Sequence, residues 1–202
     1  MSRLITNAIR STSASADAIT MDGSGNVTFP ANATCSGTAT GFGGGKLLQV
    51  QQTVKTDTAS TTVASGAFSS TVFLPVNITP ASASNKILIM VTANVSDNGT
   101  VCIQLTKDGS ALDAATGDAD GNRRRVTASN YIVGDSYLQS VNATFLDTAG
   151  GTSQITYGFK LFCQDNNTTT IYLNRTVNTY NQIYGFRSPS MIQVMELSLI
   201  HI

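Results

Sequence analysis

Ile155, Tyr157, Phe159, Leu161 and Cys163 stand at every second position of one short stretch, and this alternation restricts the fold more than any other feature of the chain. Five same-parity apolar residues line one face of an extended strand, whereas a helix would scatter them around its axis. Burying them together is worth on the order of 10 kcal/mol before chain entropy is counted, so a single strand matters to the whole domain. Seven further runs have strand character: 48–54, 71–78, 86–91, 101–106, 136–146, 171–173 and 191–202. None shows the 3.6-residue period of an amphipathic helix. Within 136–146 the shared parity of Tyr137, Val141 and Phe145 predicts one buried face. The run Lys86-Ile87-Leu88-Ile89-Met90-Val91 predicts a central strand covered on both faces. Met191–Ile202 is also apolar on both parities, so it calls for an opposing sheet on one side and a second cover on the other, for which a neighbouring subunit would serve.

Turn chemistry separates these runs at Asp97-Asn98-Gly99, Lys107-Asp108-Gly109, Asp120-Gly121-Asn122, Thr148-Ala149-Gly150-Gly151 and Asp165-Asn166-Asn167. The expected fold is therefore all-β, with an eight-stranded, jelly-roll-like antiparallel sandwich over residues 46–202. Composition agrees. Charged residues are only 12% of the chain, while 28 Thr, 21 Ser and 15 Asn supply the polar surface and disfavour helix interiors. A net charge of zero leaves no basic footprint for nucleic acid and little repulsion between copies. No run approaches the roughly 18 apolar residues of a spanning helix, and the N-terminus lacks a signal-peptide core; neither membrane insertion nor ordinary export is expected. Cys35, Cys102 and Cys163 are odd in number and widely spaced, which predicts buried reduced thiols.

Residues 1–45 differ in texture. Large apolar side chains are sparse there, and Ala18–Met21, Asp22–Asn26 and Val27–Pro30 read as a hairpin around a polar turn. The run Gly41-Phe42-Gly43-Gly44-Gly45 ends this segment as a joint.

Catalytic constellations are scarce. His201 is the only histidine and lies next to the C-terminus, where a passive or interface role is expected. Glu196, the only glutamate, is expected to pair with an arginine or sit at a rim. There is no nucleophile elbow, phosphate loop or Cys/His metal spacing, and nothing singles out a glycosidase carboxylate pair among eleven aspartates. No enzyme activity and no cofactor are expected. Two stretches are candidates for binding. The first holds Asp113, Asp118, Asp120, Arg123, Arg124 and Arg125, and reads either as internal salt pairing or as a receptor-contacting loop; Asp118, Asp120 and Asn122 also have the oxygen density of a calcium loop without its closing glutamate. The second holds Tyr180, Tyr184, Phe186 and Arg187, residue types suited equally to sugar stacking and to plugging the end of a sandwich or a trimer axis.

Ile78-Thr79-Pro80-Ala81-Ser82-Ala83-Ser84-Asn85-Lys86-Ile87-Leu88-Ile89 resembles a stretch of the small C-terminal domains of bacteriophage tail-fibre and virion proteins. Thr170–Arg175 and Met191–Glu196 resemble later strands of the same group, and Ser24-Gly25-Asn26-Val27-Thr28-Phe29 is similar to pieces of phage fibre shafts. The resemblance implies a C1q/TNF-like jelly-roll knob assembled as a homotrimer. It further implies an N-terminal part bound to other virion proteins, assembly in the host bacterial cytoplasm, and contact with a polysaccharide or protein of the host surface. Because only a short segment precedes the knob, a capsid decoration protein is the alternative, and a carbohydrate-binding module a third reading.

Overall fold

A computed structural model describes residues 8–9, 15–16, 19–29, 47–97, 99–132, 134, 136–163, 167–179, 181–183 and 185–198. The chain divides into two compact units, Met1–Gly43 and Gly44–Ile202. The first unit holds an antiparallel sheet of β1 (Ala8–Ile9), β2 (Ile19–Met21) and β3 (Val27–Thr28), in that order. The β2–β3 hairpin closes on Asp22, whose carboxylate accepts hydrogen bonds from Asn26 Nδ2 at 2.7 Å and from the amides of Ser24 and Asn26 at 2.9 Å. These bonds, the Asn26 side chain foremost, hold the Asp22 carboxyl below its ordinary pKa.

Among the described residues the second unit contains eleven strands, all paired antiparallel. They are β4 (Leu47–Lys55), β5 (Ala59–Val63), β6 (Phe73–Ile78), β7 (Lys86–Ser96), β8 (Thr100–Lys107), β9 (Ser110–Ala111), β10 (Ala128–Tyr131), β11 (Gln139–Thr148), β12 (Ile155–Cys163), β13 (Thr169–Leu173) and β14 (Ser190–Leu197). The expected count of eight is thereby corrected. Strands β5 and β10, with sequences Ala-Ser-Thr-Thr-Val and Ala-Ser-Asn-Tyr, are edge strands that need few apolar residues, and β9 is a two-residue return. Tyr137 also departs from expectation: it precedes β11 and is 58% exposed, while Val141 is buried.

One sheet has the order β10-β8-β12-β6, with β9 on β8. The other runs β4-β14-β7-β13-β5, with β11 on β7. The strand β7 organises this second sheet: β11 follows one edge from Lys86 to Val95, and the opposite edge is shared by β14 (Lys86–Thr92) and β13 (Val95–Ser96). Asn94 fills the handover. Its amide donates to Ser190 Oγ at 2.8 Å, its Nδ2 donates to the Pro189 carbonyl at 2.6 Å, and its carbonyl accepts from the Asn174 amide at 2.8 Å. Ser190 Oγ in turn donates to Asn174 Oδ1, so each buried polar group at the gap has a partner.

The inward faces of both sheets share one hydrophobic core. All five alternating residues of β12 are buried in it. Where β11 meets β8 and β12, Asp147 Oδ2 accepts from Lys107 Nζ and from the Tyr157 hydroxyl, each at 2.8 Å, and ties the two sheets together. Burial, then the hydrogen bond to Asp147, raises the Tyr157 pKa far above its ordinary value. The β6–β12 register slips between Tyr157 and Phe159, leaving Leu74 (φ 49°) and Pro75 as a bulge opposite Gly158. A Cβ on Gly158 would lie 2.5 Å from Val72 Cγ1 and 3.0 Å from the Phe73 carbonyl. Gly158→Ala is therefore expected to destabilise the fold by about 1–3 kcal/mol, measured by chemical denaturation.

The outer faces of the two sheets are treated differently. On the first, residues 112–127 and the Phe68–Val72 segment fold over β8 and β12: Gln104 Nε2 donates to the Arg125 carbonyl at 3.0 Å, and the rings of Phe68 and Phe162 lie 5.2 Å apart. On the second, a cross-strand row runs Leu146, Leu88, Met195, Val50 over β11, β7, β14 and β4. The next two rows are Thr144, Met90, Gln193, Gln52 and then Asn142, Thr92, Met191, Val54. No charged side chain occurs in the three rows. Val50 is 41% exposed, Met90 39% and Leu146 40%. Among the described residues the double cover expected for Lys86–Val91 is single, since only the Ile87, Ile89 and Val91 face meets the core.

Candidate functional site

The segment from Asp113 to Arg125 starts with a turn of 3-10 helix (Asp113–Ala115) and returns across β8 toward β10. Arg125 fastens its two ends: Nε donates to the Gly117 carbonyl at 2.7 Å, Nη2 to the Asp113 carbonyl at 3.2 Å, and Nη1 lies 3.5 Å from Asp113 Oδ1. Arg123 pairs with Asp120 at 2.7 Å in an exposed ion pair, which contributes at most about 1 kcal/mol in water. Asp118 is exposed and takes no part in an ion pair among the described residues. In the calcium alternative at Asp118, Asp120 and Asn122, the Asp120 carboxylate pairs with Arg123 through Oδ2 and keeps Oδ1.

Arg124 is the remaining arginine. It is exposed, with no hydrogen-bond or ion-pair partner among the described residues, and its guanidinium approaches the turn at Gly66. Beneath it opens a cavity of about 660 Å³. The loop contributes Asp120–Arg124 and Val126, and the sheet contributes Thr100, Cys102, Ser129 and Phe162. Sequence reading singled out the loop but not this floor, because Cys102 and Phe162 lie on the parity opposite to the core-facing set of their strands. Burial pushes the Cys102 thiol up to about 11, so it is neutral and a poor nucleophile at pH 7. Asp120 is the single carboxylate in the lining, and it is held by Arg123. The lining offers charge, hydroxyls and apolar surface, and Asp120 is its one carboxylate among the described residues. No family model matches this chain, and no curated protein matches it.

Phe186 and Arg187 of the second candidate stretch do not line this cavity. Arg187 lines a small separate recess with Arg175, Thr176 and Asn178, and Arg175 stacks on the Tyr172 ring at 4.0 Å. Phe186 and Ile183 are exposed there, while Tyr180 and Tyr184 lie outside the described residues, as do His201 and Cys35. Cys102 and Cys163 are buried, and the Cys163 thiol donates to Asp97 Oδ2 at 2.7 Å. No helix among the described residues is long and apolar enough to cross a membrane.

Glu196 corrects an expectation. It is neither at a rim nor beside an arginine: it is fully buried, where Oε1 accepts from Asn85 Nδ2 at 2.6 Å and the Ala81 amide at 2.7 Å, and Oε2 accepts from Gln49 Nε2 at 2.5 Å. Burial alone would raise its pKa, yet the donors, Asn85 first, hold the carboxyl below the ordinary value of 4.5. The only glutamate pins the Thr79–Asn85 connection to β14 and β4 and has a structural role.

Proposed function

We propose that the chain is a non-enzymatic structural component of a bacteriophage particle: a short homotrimeric fibre, on tail or head, with a C1q/TNF-like knob of jelly-roll type. In this reading the second unit contacts the host surface and the first attaches to other virion proteins. The observation that carries the assembly is the uncovered, uncharged outer face of the β4-β14-β7-β11 sheet. Four strands about 4.8 Å apart and about seven residues long give this face roughly 450 Å² before corrugation. Seven of the twelve side chains in the three rows are apolar, about the apolar share of an ordinary non-obligate interface. The face approaches, without filling, the roughly 800 Å² that each partner buries in a standard interface.

A second copy is the occupant best matched to it. The three rows hold only apolar and neutral polar residues, and Lys86, two residues beyond Leu88 on β7, has its Nζ on Thr148 Oγ1 at 2.7 Å. Three such faces can converge on a threefold axis without burying an unpaired charge. With zero net charge the copies also repel weakly. The phage assignment itself rests on the resemblance of Ile78–Ile89, Thr170–Arg175 and Met191–Glu196 to fibre domains. Gold-labelled antibody against the chain, applied to phage particles whose genome encodes it, is expected to mark projecting fibres. Label on the shell faces, together with heat-sensitive shells when the chain is missing, would favour capsid decoration, and label absent from particles would overturn both readings.

A further inference from the structure

We infer that the cavity under the Asp120–Val126 loop takes a carboxylate-bearing sugar unit, with Arg124 as its anion partner. The inference rests on the reading that the knob meets a host surface, and it names the chemistry met there. The charge count comes first. Asp120 and Arg123 cancel through their 2.7 Å pair, so the lining is left with the single positive charge of Arg124. An exposed guanidinium offers a planar fork that fits a carboxylate in two parallel hydrogen bonds. Thr100, Asn122 and Ser129 form the polar wall, and none of their side chains makes a hydrogen bond among the described residues. Such groups suit a ligand rich in hydroxyls. The floor, Cys102 and Phe162, is apolar and shows a small patch, 6% and 5% exposed, for contact with the C–H edge of a ring.

One negative charge, several hydroxyls and an apolar face together describe a uronic-acid residue. A neutral sugar would leave Arg124 unused, a fatty acid would leave the polar wall unpaired, and phosphate alone would not touch the floor. A volume of about 660 Å³ lies within the range of small-molecule sites and holds more than one sugar ring.

The test uses the full 202-residue chain, titrated calorimetrically with short oligomers of galacturonate and of glucuronate. The same oligomers with each carboxyl reduced to the alcohol, and inorganic phosphate, serve as comparisons. Binding of an acidic oligomer is expected, weakened by added salt. It should be about tenfold weaker for the reduced oligomer and for Arg124→Gln, the loss of one charge-assisted contact. Equal binding of the reduced oligomer, unchanged binding by Arg124→Gln, phosphate competing as well as the oligomer, or no saccharide binding would each overturn the inference. Adhesion to host cells separates the two levels. A variant that fails to bind sugar but adheres like the parent removes the cavity from the adhesion mechanism and leaves the host-contact reading standing. A parent chain that binds sugar but does not adhere does the reverse.

Discussion

Replacing Glu196 with alanine is expected to lower the stability of the assembled chain by about 3 kcal/mol, with a fall in Tm of about 6–12 °C. One buried donor, Asn85 Nδ2, and two less buried ones, Gln49 Nε2 and the Ala81 amide, would lose their acceptor at once. Glu196→Gln should cost less. Its oxygen can keep Asn85 and Ala81, but its NH₂ then faces Gln49 Nε2, and flipping that amide breaks the 2.7 Å bond from Gln49 to the Thr79 carbonyl. The pH dependence has a definite sign. A carboxyl whose folded pKa lies below the ordinary 4.5 contributes stability that is fully present above 4.5 and is lost as pH falls through the folded value. The parent should therefore exceed Glu196→Gln in stability at neutral pH, and the gap should narrow on acidification below 4.5. Chemical denaturation at fixed protein concentration across that range is the check; a gap that widens in acid would refute the assignment.

The second large effect concerns assembly. Val50→Lys combined with Leu146→Lys puts two like charges at the ends of the Leu146–Leu88–Met195–Val50 row. Both side chains are about two-fifths exposed in the single chain, so folding of one copy should change by less than about 0.5 kcal/mol each. Between copies the same charges meet apolar surface or one another, at a cost of several kcal/mol, so association should weaken at least about a hundredfold. Circular dichroism separates this from unfolding, because the monomer keeps its strand signal.

How much of this could be read from the sequence follows from where each signal is stored. Alternation is local, and residues 155–163 announced both a strand and its buried face. Apolar runs on both parities, at Lys86–Val91 and from Met191 on, marked a face beyond the core, although among the described residues nothing supplies the cover expected over Lys86–Val91. Strands β5 and β10 were not legible, because an edge strand built from Ser, Thr and Asn looks like a loop. Glu196 was misjudged for a different reason: its donors lie 111, 115 and 147 residues away, and only the fold brings them together. The three arginines were indistinguishable in sequence. What separates Arg124 from Arg123 and Arg125 is the placement of Asp120, Asp113 and Gly117, which hold the other two.

Light scattering on the purified chain, run beside the Val50→Lys, Leu146→Lys variant, addresses the bare sheet face most directly. The account predicts a mass of three copies for the parent and one for the variant. A parent that stays a single copy at micromolar concentration, or a variant that still assembles, would contradict it.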